Sequence, residues 1–452
     1  MAVPGMRTTA ITCGVLAGAV VSAAAVVVAC GGGGSQGAGP VDGSTGFDAV
    51  AAGDGPSDAG ATKDVLEKGD VVSFGDGVAP KEAGGGPVSS LSLEQVWFIT
   101  GEPSGANKNF FVDFRKPGPP VVTCGATVPA ATGDEGTAVF TDPGTGQLLF
   151  FTDGITVYDG TDDMQLANGD ALMGQPSATE PALITPKYGG DGGTFYVFSV
   201  DYTDDTSPTG DIYYSIIDLS QGPHGTVTTK NTHLFSGNVG EALDMLPHTN
   251  GTDFWVLAYD GPNDVDAFLV SATGVSTTPV VSPTGVAGTV LRSAINHSYD
   301  YDHVVLAMNF GGANGQIATA TIDRTTGQLS GIKTIVSGDL GYHASYSADG
   351  TKLYYVRGSE GWDGVAYQYD LTTGTETMLG GTGLAAAKLA PDGKVYYVGV
   401  DKQYLAVVNT PNAAGAAAGF VENGLSLGGC VAAFGVPNQT AAYLSYLPPQ
   451  NQ

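Results

Sequence analysis

The sequence predicts an all-β chain folded as a seven-bladed β-propeller of four-stranded antiparallel blades. Three observations carry that expectation. Of 452 residues, 69 are Gly and 25 Pro, with 20 Tyr and 17 Phe, a composition that suits turns and strands better than helices. Hairpin-like stretches recur along the globular part. Their spacing falls in the forties to fifties, which is the period of a propeller blade.

The hairpins are clearest in two near-copies, SADGTKLYYVRG (347–358) and APDGKVYYVGV (390–400). Each is an Asp-Gly turn followed by an alternating, aromatic-rich strand. Weaker copies are AVFTDPGTGQLLFFTDG (138–154), PALITPKYGGDGGTFYVFSVD (181–201), ALDMLPHTNGTDFWVLAYD (242–260), SAINHSYDYDHVVLAMN (293–309) and GCVAAFGVPNQTAAYLS (429–445). Their second strands are anchored on Phe150, Tyr196, Trp255, Val305, Tyr355, Tyr397 and Tyr443, with gaps of 46, 59, 50, 50, 42 and 46 residues. A second hairpin fits between anchors, turning at Asp323–Gly327 and at Asp370–Gly374. The last repeat has room for one hairpin only. Its outer strands are expected from QVWFITG (95–101) and NFFVDF (109–114), so that N-terminal strands close the ring and remove an open sheet edge. Six or eight blades are the alternatives. A solenoid would show a shorter period, and two sandwiches would not give seven spaced hairpins.

Residues 1–30 read MAVPGMRTTAITCGVLAGAVVSAAAVVVAC, with Arg7 the one charge ahead of a run of small apolar residues. That is the pattern of a secretory signal. The run ends in Val27-Val28-Ala29-Cys30, which resembles the lipobox of bacterial lipoproteins. The resemblance implies cleavage before Cys30 and lipidation of that Cys; a plain transmembrane anchor is the alternative. Gly31, not Asp, follows the Cys, which within this resemblance points to the outer membrane or cell surface. Residues 1–29 are thus expected to be a lipoprotein signal peptide. Residues 30–90, rich in Gly, Ala and Asp, are expected to be a disordered tether with a reach of roughly 40–45 Å. Residues 91–452 are expected to form the propeller domain.

Four Cys are present. Cys13 leaves with the signal and Cys30 takes the lipid, which leaves Cys124 and Cys430 in a compartment that permits disulfides. Two free buried thiols are the alternative, but ring closure brings the two ends together and favours the pair. Lys and Arg total 17 against 45 Asp and Glu, a net charge of -28. This excludes a nucleic-acid binder and leaves membrane contact to the lipid anchor alone. A monomer is expected.

Beyond the repeats, TGQLLFFTDGITVYDGTDDMQLANGDALMG, SATEPALITP, IYYSIIDLSQGPHGTVTTKN and DFWVLAYD resemble propeller domains of large bacterial surface proteins associated with gliding motility or type IX secretion. QVWFITG and Gly435-Val436-Pro437-Asn438 are similar to the start and end of that domain. The resemblance spans about residues 95–445 and implies an exposed, WD40-like propeller without a catalytic motif. The sequence ends at Gln452 with no C-terminal sorting domain, which argues against a type IX route.

Candidate ligand groups sit on the loops that join second and third strands of the blades. One acidic loop holds Asp201, Asp204, Asp205 and Asp211, and another holds Asp260, Asp264 and Asp266. Clustered hard oxygens suit Ca2+, although neither loop has EF-hand spacing; solvated turn carboxylates are the alternative reading. A third loop carries Arg357, Glu360, Trp362 and Asp363, where an exposed Trp with charged neighbours would form a sugar or peptide platform; a Trp packed back against its own loop is the alternative. His248, His297 and His343 fall in or near first hairpins of different blades, where a hydrogen-bonded structural role is expected. There is no HExxH motif and no Asp box, and a hydrolase nucleophile elbow is unsupported. No catalytic residue is therefore assigned. The reading is a lipid-anchored envelope propeller that binds or scaffolds a protein or glycan partner. A glycan-acting extracytoplasmic lyase or hydrolase is the first alternative, and a purely structural envelope lipoprotein the second.

Overall fold

The repeated turns close as their residues dictate. Gly350 and Gly393 take left-handed φ values of 69° and 77°, and their N–H groups donate to Ser347 O and Ala390 O at 2.9 Å in both turns. The outer turns are twins as well. Gly327 N–H donates to Asp323 O (2.7 Å) and Gly374 N–H to Asp370 O (2.8 Å). The Thr325 and Thr372 amides donate to the Asp323 and Asp370 side chains, each at 2.9 Å. The structure, a computed structural model, describes residues 94–101, 109–125, 135–142, 146–187, 193–202, 209–261, 263–310, 314–341, 343–358 and 363–438. The expected signal peptide, Cys30, the tether, Asp204, Asp205, Glu360, Trp362 and Tyr443 lie outside these residues.

Seven sheets follow one another along the chain. Blade I is β1 (Val96–Ile99), β2 (Phe110–Asp113) and β3 (Val121–Cys124). Blade II is β4 (Thr137–Thr141), β5 (Leu148–Thr152) and β6 (Val157–Asp159). Blade III is β7 (Ala182–Pro186), β8 (Thr194–Val200), β9 (Gly210–Asp218) and β10 (Thr226–Gly237). Blade IV is β11 (Leu243–Pro247), β12 (Phe254–Asp260), β13 (Asp264–Ser271), β14 (Gly274–Val275) and β15 (Val280–Pro283). Blade V is β16 (Arg292–His297), β17 (His303–Asn309), β18 (Gly315–Asp323) and β19 (Gln328–Gly338). Blade VI is β20 (Ala344–Tyr346), β21 (Lys352–Arg357), β22 (Val365–Asp370) and β23 (Thr375–Gly380). Blade VII is β24 (Leu384–Leu389), β25 (Val395–Gly399), β26 (Tyr404–Val408) and β27 (Phe420–Ser426). A last strand, β28 (Pro437–Asn438), pairs in parallel with β4. Among the described residues no helix is long and apolar enough to cross a membrane.

Burial follows position in the blade. The inner strands β4, β7, β11 and β24 are buried on both faces, because they lie between two neighbouring blades. The outer strands β10, β19, β23 and β27 are partly exposed. Six of the expected anchors, Phe150, Tyr196, Trp255, Val305, Tyr355 and Tyr397, fall on second strands. Their side chains join continuous apolar cores that run from blade to blade.

N-terminal strands do close the ring, but in a different place from the one expected. The repeat spacing predicts outer positions in a composite blade for QVWFITG and NFFVDF. Instead β1 and β2 form the inner hairpin of blade I. The reason lies in the residues: Val96–Ile99 is apolar on both faces and fully buried, whereas an outer strand needs a wet face. Trp97 and Phe114 pack edge-on against Tyr396 of blade VII, at 5.9 and 5.7 Å, and Phe98 packs against Phe151 of blade II at 4.5 Å. The C-terminal segment does not form the expected hairpin within its described part. It runs as a strap: Ala432 bridges to Gly101 and Lys402, and Pro437–Asn438 reaches β4. Gly435 is required there, because a Cβ would lie 2.2 Å from the Glu135 carbonyl carbon.

Cys124 and Cys430 form the expected disulfide, with Cα atoms 5.5 Å apart and a sequence separation of 306. It ties β3 to the strap. In the chain-entropy view so long a loop is worth roughly 5 kcal/mol. Cys430→Ser should therefore lower the unfolding free energy by roughly 2–5 kcal/mol, measured by urea titration under non-reducing conditions. An unchanged midpoint and slope would show that the strap holds without it.

Candidate functional site

Inner strands begin and end at the ring axis, so polar residues at those positions converge there. Glu180 precedes β7, Asp244 lies on β11, Asn296 and His297 end β16, His343 precedes β20 and Lys388 lies on β24. Five of the six are almost fully buried: Glu180, Asp244, Asn296, His343 and Lys388 are 1, 2, 6, 2 and 6 % exposed. The side chain of His297 retains 15 % exposure.

Glu180 links the cluster. Its Oε2 accepts the N–H groups of Leu243 and Ile295, both at 3.2 Å, and its Oε1 lies 3.3 Å from His343 Nε2. His343 Nδ1 lies 3.0 Å from Ala387 O. A carbonyl only accepts, so Nδ1 carries the proton and Nε2 presents a lone pair to Glu180. Burial holds the His343 ring well below its ordinary pKa and thus neutral. Burial also pushes Glu180 up to about 8, against the pull of Lys388 and with a push from Asp244. A protonated Glu180 donating to His343 satisfies both groups. Lys388 is lowered by burial, while Glu180 and Asp244 hold it up; its Nζ donates to Asn296 Oδ1 at 2.5 Å. His297 Nδ1 sits 2.9 and 3.0 Å from the two Asp244 oxygens, and its ring stacks on Tyr301 at 5.3 Å.

A second tier sits beside it. Glu241 Oε2 accepts from the Thr179 N–H and hydroxyl, both at 3.0 Å, and the Thr179 hydroxyl reaches Glu135 at 3.4 Å. The strap ends here. Asn438 Nδ2 donates to Leu243 O at 2.7 Å and to Ala182 O at 3.3 Å, which brings the C-terminal segment onto the inner strands of blades III and IV.

The described loop residues singled out from sequence lie elsewhere: the β12–β13 register sets Asp260 opposite Asp264, and the Asp201 N–H donates to Asp211 O at 3.0 Å. Arg357 Nε donates to Glu376 at 2.5 Å, Nη1 to Ser337 O at 3.3 Å, and the guanidinium lies 5.5 Å over the Tyr367 ring. It fastens blade VI to blade V. Asp363 is exposed. Asp211 accepts from Ser236 (2.5 Å) and Tyr213 (3.1 Å), and the Ser236 bond holds its carboxyl below the usual range against a smaller effect of burial. Asp201 binds the amide of Tyr202; burial raises it, and Asp211 adds to the rise. Asp260, Asp264 and Asp266 lie on the β12–β13 hairpin. A group of metal-ligating side chains that the sequence reading passed over is Asp159, Asp162 and His224, with ligand atoms within 4.8 Å of one another. His224 Nδ1 is 3.1 and 3.4 Å from the two carboxylates, an arrangement compatible with a divalent cation.

Of the axial residues, the sequence reading named only His297 and His343. A signal for the others existed: Glu135, Glu180 and Glu241 each stand one or two residues ahead of an inner strand. Their spacings of 45 and 61 residues run in phase with the anchor gaps of 46 and 59.

The proton on Glu180 sets a pH dependence. Folding raises its pKa from 4.5 to about 8, so its contribution is fully present below pH 4.5 and is lost as pH rises through 8. Glu180→Gln mimics the protonated acid and should change stability by about 1 kcal/mol or less at pH 5. Between pH 5 and 8.5 the variant should gain on the wild type; parallel stability curves would refute a protonated Glu180. Glu180→Ala strands two buried N–H groups and should cost roughly 2–4 kcal/mol throughout.

No family model matches the chain, and no curated protein matches it. Among solved structures it is similar to the periplasmic gluconolactonase of Pseudomonas aeruginosa, at 12 % identity over 77 % of this chain and 98 % of that one, with a TM-score of 0.46. It is also similar to a puromycin hydrolase (12 % identity, 75 % and 55 %, TM-score 0.42). A third is a putative 6-phosphogluconolactonase from Bacteroides uniformis (16 % identity, 75 % and 83 %, TM-score 0.38).

Proposed function

We propose that the protein is a lipid-anchored propeller of the bacterial cell envelope that binds or scaffolds a protein or glycan partner. The observation that carries this reading is the internal pairing of the axial cluster. Glu180, His343, Lys388, Asn296 and Asp244 engage one another or the inner-strand backbone, and Asn438 is bonded among the same strands. Groups so engaged hold blades together, and recognition is left to loops on a rigid ring. The anchor reading rests on Val27-Val28-Ala29-Cys30, and the link to surface proteins of gliding motility or type IX secretion rests on the quoted stretches.

Two experiments test it. The full chain applied to glycan and peptide arrays, with and without Ca2+, should retain a defined ligand class; silence on every class would sink the binding reading. Cys30→Ser should move the protein from the membrane pellet to the soluble extracytoplasmic fraction, and a variant that still pelleted would end the lipid-anchor reading.

One observation favours the enzyme alternative. A carboxyl held protonated near pH 8 beside His343, with Asp244 and the partly exposed His297 close by, is the kind of pairing that general acid catalysis uses. On this reading the full chain cleaves some member of a glycan panel, and Glu180→Gln abolishes turnover while keeping the wild-type melting temperature at pH 5.

A further inference from the structure

We propose that Lys388 and Asn296 join their side chains in an isopeptide bond, a covalent brace near the ring axis between blades VII and V. Lys388 lies on β24 and Asn296 on β16, 92 residues apart in sequence, and blade VI stands between them in chain order. Both side chains are buried. Lys388 Nζ donates to Asn296 Oδ1 at 2.5 Å, shorter than the usual range of roughly 2.7–3.2 Å for an N–H···O bond. A carbonyl bond is about 1.23 Å long, so Nζ stands within about 3.7 Å of the carboxamide carbon Cγ at any angle. That is close to the roughly 3–3.5 Å of a near-attack arrangement.

The second observation is how the amine is housed. An ammonium carries three donors and no acceptor. Among the described residues Nζ has its one hydrogen bond to Asn296 and no ion pair. The nearby acids are engaged elsewhere: Asp244 holds His297 through both oxygens, and Glu180 faces His343. A buried charge without a partner is expensive, and burial lowers the Lys388 amine against the pull of Glu180 and Asp244. This enlarges the share of the uncharged amine, which is a nucleophile. The step then balances without a cofactor. The Nζ lone pair bonds to Cγ, the Cγ–Nδ2 bond breaks, and Nδ2 takes the proton that Nζ gives up and leaves as ammonia. Both ring nitrogens of His343 lie 3.4 Å from Nδ2, which places the ring to relay that proton. Burial keeps water from competing. The product is one neutral secondary amide, free of the donors that made the amine costly to bury. The brace concerns the ring itself and does not depend on the function proposed above.

The test is a peptide map of the full chain, purified folded, then reduced, denatured, digested with trypsin and weighed by mass spectrometry. The main species should be a branched peptide joining residues 293–324 to residues 358–394, uncut after Lys388. It should weigh about 17 Da less than the two peptides together, the mass of the ammonia lost. Lys388→Met and Asn296→Ala should each return linear peptides only. The wild-type map decides the matter even if both variants misfold. Linear peptides 293–324 and 358–388 as the main species from the wild type overturn the proposal. So does a loss of ammonia confined to peptide 293–324 and persisting in Lys388→Met, which would be closure of Asn296 on its own backbone.

Discussion

A ring of sheets has to fill its own centre, and in this chain the centre is filled largely with polar groups. One carboxyl, Glu180, takes the amides of Leu243 in blade IV and Ile295 in blade V and faces His343 of blade VI. A group from blade III thereby joins three other blades at a point where water cannot compensate for a missing contact. Such a network is strong only when every member is satisfied. The tautomer of His343, fixed by Ala387 O, and the proton of Glu180 are consequently set together. The apolar cores between blades have more freedom, since neighbouring aromatic residues can repack without stranding a donor.

The seam of the ring solves a different problem. Blades II to VII come from consecutive repeats, and each packs on the next as the chain is laid down. Blade I must meet a partner formed from the far end of the chain. Trp97, Phe114 and Tyr396 supply the apolar contact, Ala432 bridges both sides, and the disulfide makes the junction covalent. Among the described residues the blade they secure has three strands.

What the sequence showed follows from which physical rules act locally. Asp-Gly turns, alternating strands and in-phase aromatic residues are properties of a few adjacent residues, and they located six blades and their turns correctly. The cysteine pair followed from closure. The seventh blade was placed wrongly because the choice between an inner and an outer strand depends on what covers each face, and that cover comes from Tyr396 and Phe151, hundreds and tens of residues away. The axial site was missed for a related reason. A Glu ahead of a strand reads as a solvated loop acid until the ring turns it inward. Arg357 shows the reverse error: among loop acids it looked available for a ligand, yet Glu376 and Ser337 already hold it.

The position of the disulfide also decides how the molecule would respond to tension. A pull on the chain ahead of Glu94 acts first on β1, then on β2 and β3. At Cys124 the force leaves the backbone path and crosses the sulfur bridge to Cys430. Only the stretch from 94 to 124 can then be drawn out, about 100 Å when fully extended, before the remaining six blades are loaded through a covalent clasp. Under such a load blade I would be drawn out first, and the clasp would keep the rest of the ring from unravelling at that end.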